Sequence, residues 1–137
     1  MADTLRVVDY FYVSAPHKPG AGSDVLNALK AAGVNLIVFS GFPEGRRAQL
    51  DFVPEDPVAF KALARKQGWK LVGPKKAILV QGEDRVGIMA DLASALGAAG
   101  INIVAADGLC TGAGRYGVIL WVAPRDVKRA AKVLGAA

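Results

Sequence analysis

The sequence predicts an α+β fold made of two ferredoxin-like βαββαβ units in tandem, each an antiparallel sheet with its helices on one face. Three observations support this prediction. The chain of 137 residues is long enough for one ordinary domain or two very small ones. It repeats itself with an offset of 67 residues, so that Gly20 matches Gly87. Each copy also shows apolar runs typical of strands alternating with the periodicity of amphipathic helices.

The repeat is clearest between residues 15–36 and residues 82–103, where eight of 22 positions are identical. Chance agreement at this composition would give about one or two identities. The identical pairs are Gly20/Gly87, Asp24/Asp91, Ala28/Ala95, Leu29/Leu96, Ala31/Ala98, Ala32/Ala99, Gly33/Gly100 and Asn35/Asn102. The chain is therefore expected to contain two copies of one unit of about 65 residues.

Each copy opens with an apolar strand followed by a helix. The strands are predicted at residues 10–13 and 77–80. The helices have apolar residues at positions i, i+4 and i+7, which are Val25, Leu29 and Ala32 in the first copy and Leu92, Leu96 and Ala99 in the second. Gly33 and Gly100 stand just past these helices, where a left-handed residue commonly ends a helix.

Two more strands and a second helix complete the pattern. The strands are predicted at residues 36–39 and 48–52, and at 103–106 and 118–122. The second helices carry Phe60, Leu63 and Ala64, and in the other copy Val127, Ala130, Ala131 and Leu134. The first copy adds a fourth strand at residues 69–72, whereas the second stops at Ala137, so its last strand is expected to be absent. Residues 73–76 form the natural boundary between the copies, which predicts domains at 1–73 and 74–137.

Composition excludes several classes of protein. Hydrophobic residues make up 53% of the chain and charged residues 21%, which excludes a disordered protein. The longest uncharged apolar stretch, residues 92–106, is shorter than the roughly 20 residues that a membrane span needs, so no membrane partner is expected. No secretory signal is recognisable at the N-terminus. Because Cys110 is the single cysteine, the cytoplasm is the expected compartment.

The basic character of the chain has an ordinary explanation. The net charge is +5, but the basic residues come in small groups. Two of these groups lie at helical spacing opposite an apolar stripe, which is typical of a solvated helix face. No basic strand interleaved with aromatic residues accompanies them. The pattern therefore favours solvated helices over nucleic-acid binding.

The obvious catalytic constellations are missing from the sequence. His17 is the single histidine, and one histidine with one cysteine does not make a zinc site. Gly112, Gly114 and Gly117 fall between two predicted strands, which indicates a hairpin turn and not a phosphate-binding loop. We expect a protein that is not an enzyme and that uses no cofactor or metal.

The loop between the first strand and the first helix is the feature that suggests binding. It occurs twice, at residues 17–20 and 84–87. The amides at the start of a helix have no intrahelical partner and carry partial positive charge, and glycine lets a ligand approach them. Such a turn can bind a carboxylate. Asp84 or His17 can then accept from an ammonium group, and Asn35 or Asn102 can offer an amide, which together fit a free α-amino acid.

A purely structural interpretation of the same residues is also possible. Gly20 and Gly87 would then only form tight turns, and Asp84 would only cap a helix. Asn35 and Asn102 would only close the loops from helix to strand.

The repeated pattern resembles the ACT domain, a small βαββαβ module that binds amino acids and regulates metabolic enzymes. In the second copy the resemblance rests on residues 84–89, Leu92, Leu96 and residues 99–103. In the first copy it rests on residues 18–20, Leu29 and residues 32–36. The first copy keeps the family's Pro-Gly pair, whereas the second has Val86 before its glycine. The resemblance extends over almost the whole chain.

The resemblance implies paired domains with an effector at their interface, held by the first loop of one domain and the second strand of the next. The implied ligand-binding residues are Asp84, Arg85, Val86, Gly87, Ile88, Met89 and Asn102, and in the first copy His17, Lys18, Gly20, Ala21 and Asn35. We expect the second copy to be the stronger site, because Asp84 is ionised at neutral pH whereas His17 is mostly neutral.

The leading hypothesis is a non-catalytic regulatory protein that binds a free amino acid. The alternative is a protein-interaction module with vestigial ligand sites that regulates a partner, either a metabolic enzyme or a transcription factor, by docking. The strands at residues 10–13, 77–80 and 118–122 lack polar alternation, which indicates burial of both faces. On that ground we also expect a homodimer.

Overall fold

The computed structural model describes residues 3–135 of the chain. They contain six strands and four α-helices, in the order β-α-β-β-α, which occurs twice. These residues form two units. The first unit consists of residues 9–75. The second unit consists of residues 3–8 and 76–135. The predicted α+β class, with antiparallel sheets in two repeated units, is confirmed.

The first unit contains most of β1 (Thr4–Pro16), then α1 (Ala21–Ala31), β2 (Leu36–Glu44), β3 (Arg47–Pro54) and α2 (Pro57–Gln67). Its strands pair antiparallel in the order β2-β3-β1. Residues 72–75, at the start of β4 (Val72–Glu83), lie beside β1. This is the strand order of a complete ferredoxin-like sheet.

The helix α2 shows how local sequence fixes an element. The Asp56 carboxylate accepts hydrogen bonds from the backbone N–H groups of Val58 (3.0 Å) and Ala59 (3.3 Å), and Pro57 occupies the first turn. Gly68, at φ 72°, ends the helix in the left-handed conformation. The apolar face of α2 then packs on the sheet through Phe60, whose ring lies 5.1 Å from that of Phe11, centroid to centroid.

The second unit contains the rest of β4, followed by α3 (Ile88–Ala98), β5 (Ile103–Gly112), β6 (Arg115–Val122), a short 3-10 helix (Pro124–Asp126) and α4 (Val127–Leu134). Its strands pair in the order β4-β6-β5, with Ile78 opposite Leu120. Both side chains are fully buried in the core beneath α3 and α4. As in α1, a left-handed glycine follows α3: Gly33 has φ 70° and Gly100 has φ 72°, as the sequence predicts.

In the second unit, the start of β1 takes the position of the missing last strand. Within residues 3–135 no strand follows α4, in agreement with the predicted absence of a last strand. Residues 4–8 of β1 lie instead beside β4, and Leu5 packs against the core of the second unit. An unpaired β4 would expose a row of backbone donors and acceptors, and this strand covers them.

The units therefore divide the chain differently from the predicted domains at 1–73 and 74–137. Residues 3–8 pack with the second unit, and the chain passes from the first unit to the second after Lys75. The residues expected to form the boundary between the copies, 73–76, lie inside the continuous strand β4, and the strand predicted at 69–72 begins only at Val72. Glycine and proline suggested a turn here, but the strand continues through them. No helix in residues 3–135 has the length and apolar character needed to cross a bilayer.

Candidate functional site

In both units a sharp left-handed turn joins the first strand to the first helix. Gly20 precedes α1 with φ 89° and ψ −17°, and Gly87 precedes α3 with φ 87° and ψ 10°. Neither helix has a side chain that caps its first amides. The predicted sharp turn is therefore present twice, and no side chain caps the helix that follows it in either copy, although the N–H of Ala21 donates to the carbonyl of Lys18 (3.4 Å).

A cleft of about 280 Å³ opens beside this turn in the first unit. It lies between the end of β1, the first turns of α1 and the segment just before β4. Its wall is largely apolar, with Trp69 on one side. The polar and charged residues that line it are Ser14, Lys18, Asp24 and Lys70.

Within residues 3–135 no ion pair neutralises the charged side chains of the cleft. Lys18, Asp24 and Lys70 form no ion pair with any other residue of the part that the structure describes. Ser14 differs, because its Oγ accepts a hydrogen bond of 2.6 Å from Nε of Arg47. The cleft thus presents two cations and one anion next to the uncapped start of α1.

The same loop in the second unit is occupied by an ion pair. The guanidinium of Arg85 donates to both carboxylate oxygens of Asp3, at 3.3 and 3.2 Å, and lies 4.0 Å from Asp91. This arginine holds the pKa of Asp3 below its usual value. The carboxylate also lies against Gly82, where a Cβ would collide with it.

Tyr116 adjoins this ion pair from β6. Its side chain is buried, and burial, followed by the neighbouring Asp3 carboxylate, raises its pKa to about 12. A neutral phenol therefore completes the surroundings of Asp3.

Asp84 does not serve as a helix cap. Its backbone N–H donates to the carbonyl of Gly114 (2.7 Å). Its carboxylate accepts a hydrogen bond from the thiol of Cys110, and this contact is the main cause of the raised pKa of the thiol. Asp84 is thus tied to the hairpin between β5 and β6.

The other predicted residues of the second loop have unequal positions. Val86 is fully exposed, whereas Ile88 is buried in the core. Met89 is 37% exposed, and its sulfur lies over Gly108. Val86 and Met89 thus contribute exposed surface, whereas Ile88 contributes to the core.

Asn35 and Asn102 lie away from the loops within their own units. Each follows the C-terminus of an 11-residue helix, which places it about 16 Å from the glycine before that helix. Asn35 Nδ2 donates to Glu55 Oε2 (3.0 Å), and Asn35 O accepts from Glu55 N (2.9 Å), so this residue joins two loops. Asn102 is exposed.

Of the predicted ligand-binding residues, Lys18 and Ala21 line the cleft of the first unit. His17 is exposed and lies outside its lining. Sequence reasoning missed Ser14, Trp69 and Lys70, as well as Asp24, although Asp24 repeats as Asp91 and that repetition was a usable signal. In residues 3–135 no group of three or more His, Cys, Asp or Glu side chains is placed to hold a metal ion.

Comparison with known proteins agrees with the fold. Residues 76–137 match the family model of the ACT domain. The structure is similar to that of a protein from Bacteroides thetaiotaomicron, with a TM-score of 0.84 at 14% identity, covering 96% of this chain and 88% of the other. It is also similar to the regulatory subunits of aspartate kinase from Thermus thermophilus and Thermus flavus.

The T. thermophilus subunit, in its ligand-free form, has a TM-score of 0.65 at 19% identity, covering 98% of this chain and 95% of the other. The T. flavus subunit has a TM-score of 0.61 at 20% identity, covering 98% and 94%. No curated protein matches the sequence significantly. The match to the ACT domain model therefore lies in the second half of the chain, and the first half repeats the order of elements and part of the sequence of that half.

Proposed function

We propose that this chain is a cytoplasmic, non-catalytic regulatory protein that binds a free amino acid at the loop between the first strand and first helix of an ACT unit. The observation that carries the proposal is the cleft of the first unit, which joins that loop to a largely apolar wall. Its volume of about 280 Å³ lies just below the range typical for drug-sized ligands, which suits a smaller molecule.

The chemistry of the cleft fits the charge pair of an amino acid. The uncapped amides of α1 and the ammonium of Lys18 offer a place for the α-carboxylate. Asp24 offers a carboxylate for the α-ammonium. The apolar wall and Trp69 leave room for a side chain.

The test is isothermal calorimetry with each of the twenty amino acids at millimolar concentration. The variant Ala21→Ile narrows the cleft with the residue that the second unit has at the matching position, Ile88. We expect heat of binding for wild type and its loss in Ala21→Ile. Ala31→Ile, at an exposed position on the same helix, is the matched control and should bind like wild type. The absence of heat with every amino acid would contradict the proposal.

A second candidate function is docking on a regulated partner, with no amino acid bound. The exposed apolar side chains of Val86, Val104 and Leu109 in the second unit favour it, because such residues commonly form contact surfaces. This candidate predicts that Val86→Lys weakens the interaction with the partner. It also predicts that calorimetry of the wild-type protein shows no heat of binding with any amino acid.

A further inference from the structure

The two units differ at the first turn of the helix that follows their first strand, beside the end of the outer strand. In the second unit this place contains the carboxylate of Asp3, held by Arg85 with Asp91 nearby. The repeat aligns Arg85 with Lys18 and Asp91 with Asp24, which both line the cleft of the first unit. The cation and the anion are thus kept in both units.

The carboxylate itself is missing from the first unit. Where the second unit has Asp3 at the end of its outer strand, the first unit has Trp69 and Lys70, just before residues 72–75. The charge at this place therefore changes sign. A cation that pairs with an internal carboxylate in one unit faces a second cation across an open cleft in the other.

The first residue of the helix also differs between the units. The second unit has Ile88, which is buried in its core, and the first unit has the smaller Ala21. The smaller side chain leaves space that the isoleucine fills. The first unit therefore has a cleft beside this helix turn, whereas the second unit has a buried isoleucine and the Asp3–Arg85 ion pair there.

From this comparison, and resting on the function proposed above, we propose that the cleft of the first unit selects an amino acid that has a second carboxylate in its side chain, and that the chain binds one such molecule. Lys18, Lys70 and Asp24 sum to a charge of +1. A neutral zwitterion would leave that charge in place, whereas an acidic amino acid, with a net charge of −1, neutralises it.

The roles of the two lysines follow from their positions. Lys18, beside the first turn of α1, contacts the α-carboxylate together with the amides. Asp24 contacts the ammonium. Lys70, on the wall with Trp69, contacts the side-chain carboxylate. Ion pairing with the second carboxylate makes Lys70 the residue that determines specificity.

The experiment compares ligands that differ only in charge. Calorimetry with aspartate against asparagine, and glutamate against glutamine, should show at least about tenfold tighter binding for one of the acids, with one molecule per chain. In Lys70→Gln this preference should fall to less than about threefold while the amide still binds. Lys66→Gln, an exposed lysine of α2, should keep the preference.

The outcomes separate the two proposals. Equal or tighter binding of the amides, or an acid preference that survives in Lys70→Gln, would overturn the selectivity and leave amino-acid binding intact. Two molecules bound per chain would contradict the proposal that only the first unit binds an amino acid. The absence of binding by any amino acid would overturn both proposals. Thermal melts of Lys70→Gln verify that the exposed substitution leaves the fold unchanged.

Discussion

The left-handed glycines are the residues on which the shape of the candidate loops depends. Gly87 has φ 87°, a conformation in which an L side chain is strained although its Cβ would meet open space. We predict that Gly87→Ala lowers the free energy of unfolding by about 1–2 kcal/mol. Chemical denaturation measures this change.

Gly97 provides the matched control on the same helix. It has ordinary helical geometry, and a Cβ there would also meet open space. Gly97→Ala should therefore leave stability unchanged or raise it by up to about 1 kcal/mol. If Gly87→Ala and Gly97→Ala shift the denaturation midpoint equally, the left-handed conformation of Gly87 is wrong.

The phenol of Tyr116 gives a prediction about alkaline pH. Its pKa is raised from 10.0 to about 12, so the unfolded chain releases this proton at lower pH than the folded protein does. The resulting stabilisation is complete below pH 10.0 and is lost as the pH rises towards about 12. Absorbance of the phenolate against pH should show a late-titrating tyrosine that disappears in Tyr116→Phe.

Tyr10 is the necessary control for this titration, because burial raises the pKa of its hydroxyl as well. Tyr10→Phe should retain the component near pH 12 that belongs to Tyr116. A titration curve that is the same in wild type and in Tyr116→Phe would contradict the assignment.

At the scale of the element, an ion pair adds to the backbone pairing that holds the start of the N-terminal strand. Asp3 and Arg85 connect the start of this strand to the loop before α3. We predict that Arg85→Gln speeds amide hydrogen exchange of residues 4–8, because the strand end then opens more often. Arg129→Gln, which removes the ion pair with Asp126 in the same unit, should leave exchange at residues 4–8 unchanged.

The pH dependence of this contact has a definite sign. The pKa of Asp3 is lower in the folded chain than its usual value of 3.8, so its contribution to stability is present above that pH. It is lost as the pH falls through the lowered pKa. Exchange of residues 4–8 should thus be insensitive to Arg85→Gln once Asp3 is protonated, and a difference that persists there would contradict the role of the carboxylate.

The order of elements could be predicted because it depends on local patterns. The apolar spacing of Val25 and Leu29, and the glycine after each helix, involve residues only a few positions apart in the sequence. The destination of residues 4–8 could not be predicted, since strand pairing joins residues far apart in sequence. For the same reason the sequence pointed to Lys18 and Ala21, which line the cleft, but not to Lys70, which lines it too and is about 50 residues away along the chain.

At the scale of the whole molecule, burial within the single chain changes the argument for self-association. The sequence argument was that residues 10–13, 77–80 and 118–122, apolar on both faces, need a second chain to cover them. In the structure residues 77–80 and 118–122 are all buried, including Leu79 (4% exposed) and Ile119 (3%), whereas Tyr10 and Tyr12 are half-buried. For the two runs of the second unit, burial therefore gives no reason for a dimer.

A different feature supports a homodimer, which stays our prediction. The outer strand β5 is exposed along nearly its whole length, with Val104 64% and Leu109 69% accessible, and Asp107 is its one charged residue. An outer strand with so little charge is a template for pairing with another copy.

We therefore predict a dimer paired through β5, and light scattering at roughly tens of micromolar should give twice the mass of the chain. Val104→Lys places a charge on this strand and should yield the monomer, because burying an unpaired ammonium at the new interface is costly. Val58→Lys, at an exposed valine of α2, is the matched control and should remain dimeric. A wild-type protein that scatters as a monomer would contradict self-association, and a dimer that survives Val104→Lys would place the interface elsewhere than on β5.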